Sequence, residues 1–271
     1  MNKLHSIKEI IKTYDTGDKP VLVQCNDLND YVCKHNKGHP SCKNLFAEYL
    51  AYHFLEMLGV RLPPCAIIEV KDNHIIPSTV CQPRFFKEID CFGTMQLNLA
   101  LEWSSFSFSS SDVRRIKNPE DLFIIAWCDI WLANEDRNWN NFNLLMNPEE
   151  EGWYIIPIDH GACFNSLMFD TGRKLFLLDE YSSIIHTEQY KLIAKKHFKQ
   201  MKDVDDFVKR LYLCITNIEE NFDRIITKTP LSWPIPSTYI EELKENLFSE
   251  KWLNETKTQF LLFTKQSLKI K

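Results

Sequence analysis

The densest group of polar side chains in the sequence lies between an apolar stretch and a β-prone run. It reads Asn134-Glu135-Asp136-Arg137-Asn138-Trp139-Asn140-Asn141, and a second polar group, Asp159-His160-Gly161, follows the next β-prone run. Carboxylate and amide oxygens are hard ligands, which suit Mg²⁺ that is held jointly with phosphate groups. The two segments are therefore candidates for a site that binds a metal ion and a phosphorylated ligand.

The spacing of these residues is more specific than their types. Asp136 precedes Asn141 by five positions, which is the D-x-x-x-x-N spacing of kinase catalytic loops. Asp159 with Gly161 gives the D-x-G pattern that follows such loops, and a predicted hairpin brings Asn141 close to Asp159. Each residue alone is better explained as a turn cap. The ordered set favours a phosphoryl-transfer site, because all of its members have to surround one metal ion.

A lysine and a glutamate near the N-terminus supply an independent test. A kinase needs a strand lysine on the nucleotide phosphates and usually a helix glutamate to orient it. Lys34 ends a predicted strand, and Glu48 lies in a predicted helix among apolar neighbours. Because an unpaired buried carboxylate is costly, we expect Glu48 to pair with Lys34. The alternative is that Glu48 reaches solvent from a polar stripe shared with Lys43 and Glu56.

The elements that must position these residues fall into two parts. In residues 1–98, the pattern predicts strands at 21–25, 31–34 and 91–97, a helix at 44–58, and a hairpin of 66–70 with 74–76. In residues 99–271, it predicts a buried helix at 119–133 with Asn118 as N-cap, strands at 142–146 and 153–158, and amphipathic helices from 183 onward that are interrupted at 229–237. The expected fold class is α+β.

Composition excludes several classes of protein. The chain has 271 residues, a net charge of −5 and only seven glycines, so a general nucleic-acid-binding surface and a glycine-rich G-x-G-x-x-G or Walker-type loop are not expected. There is no basic-then-apolar leader and no apolar run long enough to span a membrane. Nine cysteines without a C-x-x-C pair indicate reduced thiols and a cytoplasmic protein. Cys33, His35, His39 and Cys42 do not have the paired spacing of zinc ligands.

The order Lys34, Glu48, N-x-D-R-x-x-x-N and I-D-H-G resembles that of the HipA-like kinases. The resemblance covers nearly the whole chain and is closest to the compact HipA-like domains. It implies one two-lobed, protein-kinase-like domain, related in fold to lipid kinases, with a β-rich N-terminal lobe (1–98) and a larger helical C-terminal lobe (99–271).

The resemblance also implies cofactors and roles for single residues. ATP and Mg²⁺ would be the cofactors, with Lys34 on the α- and β-phosphates and Glu48 paired with it. Asp136 would be the catalytic aspartate, and Asn141 and Asp159 would bind Mg²⁺. Three further roles are implied: Arg137 would hold the turn or a phosphate, Gln96 and Leu97 would lie at the adenine hinge, and Gly17 would belong to the phosphate-covering loop.

Two features depart from the family pattern. The expected phosphate-covering loop, 15–19, has one glycine, Gly17, and two acidic residues that would repel phosphate. Asn138 replaces the histidine that follows D-R in the toxin branch of the family, and an amide can hold a turn but cannot titrate. Asp136 is retained, so activity is still expected.

The predicted function is transfer of the γ-phosphoryl group of ATP to a hydroxyl, with a protein Ser/Thr acceptor favoured only by the resemblance. One alternative is a pseudokinase that binds nucleotide, and another is a small-molecule or lipid kinase. An antitoxin-like partner is conceivable from the resemblance, but the sequence identifies none. Ser166 and Thr171, after the D-x-G, are hypothetical autophosphorylation sites.

Overall fold

The computed structural model describes residues 1–38, 41–78, 81–105, 108–165 and 174–270. Its N-terminal part is a six-stranded sheet of order β1-β5-β6-β4-β3-β2, in which β1 runs parallel to β5 and the other neighbours are antiparallel. The strands are β1 (Asn2–His5), β2 (Lys12–Thr13), β3 (Val21–Gln24), β4 (Asp30–Lys34), β5 (Cys65–Glu69) and β6 (Cys91–Met95).

The alternation of β4 decides where the Lys34 side chain points. Tyr31 and Cys33 are buried in a small core on one face of the sheet, so Lys34 lies on the opposite face. Lys34 is paired with Phe92 of β6, and directly paired residues share a face. Phe92 packs edge-on against Tyr52 of helix α1 (Lys43–Met57), with ring centroids 5.9 Å apart. The sheet therefore presents Lys34 to α1.

Helix α1 is buried on most of its positions because it packs into the helical part of the protein as well as against the sheet. Phe54 stacks on Trp131 at 5.6 Å, and the Tyr49 hydroxyl donates to the Ile225 carbonyl at 2.9 Å. The division of the chain into lobes 1–98 and 99–271 stays a prediction. Across that boundary, the two parts share one hydrophobic core.

The remainder is mainly helical and contains one small sheet. The helices are α2 (Ser110–Val113), α3 (Pro119–Trp131), α4 (Glu188–His197), α5 (Met201–Ile226), α6 (Ser237–Phe248) and α7 (Glu250–Leu268), and the sheet is β7 (Leu101–Glu102), β8 (Leu144–Glu149) and β9 (Gly152–Pro157) in that order. The α+β fold class is confirmed. Within the described part of the chain, no helix combines the length and apolarity needed to cross a bilayer.

One local prediction is wrong, and a second holds only in part. The hairpin of 66–70 with 74–76 is wrong: β5 ends at Glu69, and 72–74 form a single 3₁₀ turn. The reason is that both edges of β5 are already paired, with β1 and β6. Asn118 occupies the N-cap position of α3, as predicted, but its side chain makes no capping hydrogen bond to the helix backbone. Its amide instead pairs with both backbone groups of Ile155, at 2.8 and 2.9 Å, and so joins α3 to β9.

Candidate active site

A single ammonium group meets two carboxylates at the junction of the sheet, α1 and the segment after β9. Lys34 Nζ lies 2.7 Å from Glu48 Oε2 and also contacts Asp159 Oδ1. Glu48 is 2 % exposed and accepts a second hydrogen bond from the His160 backbone N–H at 2.8 Å. Burial would lower the pKa of Lys34, but the charges of Asp159 and Glu48 outweigh it and raise the pKa, so the group stays an ammonium.

The two carboxylates have different environments. Burial raises the pKa of Glu48, and the Asp159 charge adds to this effect, while Lys34 opposes it. Burial also opposes ionisation of Asp159, but Lys34, with a contribution from Arg137, outweighs it and lowers the pKa. The Asp159 side chain is 36 % exposed, whereas that of Glu48 is 3 % exposed. Asp159 is therefore the ionised carboxylate that a ligand or a metal ion can reach.

A buried polar network of Asp129, Arg137 and His160 holds the segment 134–141 in place. The Asn134 amide donates to Asp129 Oδ1 at 2.9 Å and accepts the Asp136 backbone N–H at 3.2 Å. Arg137, 1 % exposed, donates to Asp129 Oδ1 at 2.5 Å and to His160 Nδ1 at 3.2 Å. Burial and the charges of Arg137 and Lys34 hold the pKa of His160 well below its usual value, so the ring is the neutral acceptor that this contact requires.

The same guanidinium bridges the start of β8 and the end of β9, which lie together at the open end of the hairpin. Arg137 Nε donates to the Phe142 carbonyl at 3.1 Å, and another of its nitrogens donates to the Ile158 carbonyl at 2.8 Å. Phe142 follows Asn141 and Ile158 precedes Asp159, so Arg137 brings these two site residues to one end of the hairpin. Its donors are directed at protein groups, which supports the turn-holding role rather than contact with a phosphate.

Asn138 closes the turn in which Asn141 lies. The Asn138 backbone N–H donates to the Asn141 carbonyl at 2.9 Å, and the Asn138 side-chain oxygen accepts from the backbone N–H groups of Asn140 and Asn141 at 2.9 and 3.2 Å. The Asn138 amide therefore stabilises the turn at the position where the toxin branch has a histidine. Within the described residues, the Asn141 side chain has no hydrogen-bond partner, so its oxygen is available.

The residues present fit a divalent cation that is shared with phosphate. In the described ranges, no three His, Cys, Asp or Glu side chains form a cluster that could hold a metal ion by themselves. Asn141 and Asp159 offer two oxygen ligands, and the remaining positions would have to be filled by phosphate oxygens and water. Mg²⁺ in phosphoryl-transfer sites is usually bound in this way.

The other predicted ligand-binding residues lie outside this cluster. Lys37 contacts the Gly17 carbonyl and pairs with Asp18 at 2.9 Å, which ties the loop 15–19 to the segment after β4. Gln96 follows β6 and donates its backbone N–H to the Asp30 carbonyl at 2.8 Å, and the Leu97 carbonyl accepts from Ala100 at 3.2 Å. Among the described residues, no hydrogen bond or ion pair joins Gly17, Gln96 or Leu97 to Lys34. Ser166 and Thr171 lie outside the described residues.

Two residues of the site were not predicted, Asp129 and Asn143. Asp129 is the only acid of α3 beyond its first turn and stands among apolar residues in the sequence, which is the signal that could have identified it. The structure buries it. Asn143 donates its amide to Asp136 Oδ2 at 3.1 Å. No sequence pattern distinguishes it from the other asparagines of the segment.

Comparison with known proteins places this geometry in a family. A proinflammatory kinase of Helicobacter pylori, CtkA, has a similar structure at 15 % identity and a TM-score of 0.55, with 98 % of each chain covered. A Golgi casein kinase solved with Mn and ADP bound aligns at 13 % identity and a TM-score of 0.48, over 97 % of this chain and 75 % of the other. A search of curated proteins finds no match. The profile of the HipA-like kinases matches residues 7–260, which confirms the resemblance, and the chain belongs to the HipA-like kinase family.

Proposed function

We propose that this kinase uses ATP with Mg²⁺ and transfers the γ-phosphoryl group to the hydroxyl of a Ser or Thr side chain in a protein. The observation that carries the proposal is the meeting of Lys34 with Glu48 and Asp159. It is joined by the Arg137 bridge between the Phe142 and Ile158 carbonyls, which are the chain neighbours of Asn141 and Asp159. It supports a site in which one fixed cation and two oxygen ligands face the same phosphates.

The proposal gives each residue of the site a role in the transfer. Lys34, oriented by Glu48, offsets negative charge on the phosphates. Asp136 accepts the proton of the acceptor hydroxyl, whose oxygen bonds to the γ-phosphorus as the bond to the β–γ bridging oxygen breaks and ADP leaves. Asn141 and Asp159 would hold Mg²⁺, which would stabilise the negative charge that develops on the phosphoryl oxygens. The retained carboxylates support transfer over a pseudokinase role.

The cellular context belongs to the same proposal. All nine cysteines are free thiols, which supports a reducing, cytoplasmic environment. The net charge of −5 gives no support to a lipid acceptor at an anionic membrane surface.

Replacing Asp136 with Asn tests the proposal directly. The variant keeps an oxygen for the Asn143 amide but loses the proton acceptor, so we expect transfer to fall by about 10²- to 10⁴-fold with nucleotide affinity unchanged. Transfer to the protein itself, to peptides and to water is measured by mass spectrometry of the intact protein and by following the label from radiolabelled ATP. Asp206→Asn, at an exposed ion pair, is the control. A wild-type protein that binds ATP without any transfer would contradict the proposal and favour the pseudokinase alternative.

Contact between the protein acceptor and the site is tested at Trp139. This ring is 63 % exposed at the tip of the turn between Asp136 and Asn141, where a protein acceptor would bury it. In a peptide library with Ser, Thr and Tyr acceptors, we expect Trp139→Ala to raise the acceptor KM about 10-fold and to leave the KM for ATP unchanged. Leu213→Ala, also highly exposed, should change neither value. An unchanged acceptor KM in Trp139→Ala would argue against contact with the acceptor.

A further inference from the structure

We propose that Asn143 is a positioning residue that fixes the carboxylate of Asp136 for proton transfer. This inference rests on the proposed function and adds to it a residue outside the D-x-x-x-x-N and D-x-G motifs. The contact that carries it is the hydrogen bond from Asn143 Nδ2 to Asp136 Oδ2, at 3.1 Å.

The backbone of Asn143 is hydrogen-bonded at the end of the β8–β9 hairpin that leads into Asp159. Its carbonyl accepts the Ile158 N–H at 2.9 Å, one residue beyond the last β8–β9 pair and one residue before Asp159. Its φ is +46°, a left-handed conformation that Asn adopts more readily than most residues. The side chain that reaches Asp136 is thus carried by the same hairpin end that carries Asp159.

Asp136 needs such a contact because its other hydrogen bonds hold only its backbone. Its N–H donates to Asn134 Oδ1 at 3.2 Å, and its carbonyl accepts from Asn138 Nδ2 at 3.3 Å. Within the described residues, Asn143 is the hydrogen-bond donor to the Asp136 carboxylate. The amide is neutral, so it orients the carboxylate without cancelling its charge, and it leaves Oδ1 for the acceptor hydroxyl.

Two substitutions separate this role from a backbone role. Asn143→Gly keeps the left-handed conformation and removes the amide, whereas Asn143→Asp keeps size and conformation but replaces the donor with a carboxylate that repels Asp136. We expect kcat to fall about 10- to 100-fold in Asn143→Gly and further in Asn143→Asp, with the KM for ATP within about twofold of wild type. Asn147→Asp, on the same hairpin beside the exposed Glu149, adds the same charge and should leave kcat unchanged.

A spectroscopic measurement is independent of activity. The side-chain amide resonance of Asn143, identified by its loss in Asn143→Gly, should shift in Asp136→Ala and stay in place in Asn147→Asp. Urea denaturation of each variant accounts for the folded fraction.

Three outcomes are distinguishable. Reduced kcat at unchanged KM together with the shifted resonance supports the inference. Full activity of Asn143→Gly in an active wild-type background, or an unmoved resonance, overturns it while the proposed function stands. A wild-type protein without transfer overturns the proposed function and, with it, a positioning role in transfer.

Discussion

Asp159→Asn is expected to lower phosphoryl transfer by about 10³-fold and to remove the effect of Mg²⁺ on nucleotide binding. Asp159 is the ionised, accessible carboxylate of the site, since Lys34 lowers its pKa against the effect of burial. An amide in its place is a neutral ligand, as Asn141 already is, so the proposed cation site loses the negative charge of its carboxylate ligand. Lys34 keeps its pair with Glu48 in the variant, so the fold should be retained.

The measurement is the shift in Tm produced by ADP, with and without Mg²⁺, alongside transfer from labelled ATP. In wild type, we expect Mg²⁺ to increase the ADP-dependent shift. In Asp159→Asn, the shift with ADP alone should be kept or enlarged, because one anion has been removed beside the phosphates, and Mg²⁺ should add nothing to it. General unfolding would instead abolish both shifts.

A matched control is available at the surface. Asp206→Asn makes the same chemical change in a side chain that is 54 % exposed and paired with Lys209, so transfer and both nucleotide shifts should equal those of wild type. Equal transfer by Asp159→Asn and wild type would rule out the proposed mechanism.

The parts of the site that follow from local pattern could be predicted from the sequence. Glu48, an acid among apolar helix residues, required a partner, and the structure supplies Lys34 from the neighbouring strand. The helix at 119–133 and the following hairpin were predictable because apolar runs and turn residues mark them. These two elements fix where the segment 134–141 begins and where Asp159 lies.

The contacts that could not be predicted depend on chain segments far apart in sequence. β1 covers one edge of β5 and so excludes the predicted hairpin, a competition that a local pattern does not record. The Asn143–Asp136 contact depends on a left-handed backbone at Asn143, which the identity of the residue permits but does not require. The sequence leaves two roles open for Arg137, holding the turn or binding a phosphate, and what favours the first is its burial and the direction of its donors, neither of which a local pattern records.

Arg137→Met is expected to lower the free energy of unfolding by about 3–5 kcal/mol, a large part of the stability of a typical domain. The substitution leaves the Asp129 carboxylate in the core without its cation and removes the bridge between the Phe142 and Ile158 carbonyls. Urea denaturation measures the loss. Arg210→Met is the control, because its 2.5 Å pair with Glu120 is exposed and should contribute less than about 1 kcal/mol.

The pH dependence of the Arg137→Met variant tests the cause of its instability. Burial raises the pKa of Asp129 even beside Arg137, and loss of the guanidinium should raise it further. The folded variant then binds a proton more readily than the unfolded chain does, so its stability should rise as pH falls from about 8 to about 5 and the deficit against wild type should narrow. Adding Asp129→Asn removes the buried charge and should restore part of the loss at neutral pH. A deficit that is independent of pH and unaffected by Asp129→Asn would mean that the lost hydrogen bonds to the hairpin, and not the buried charge, determine the stability of this network.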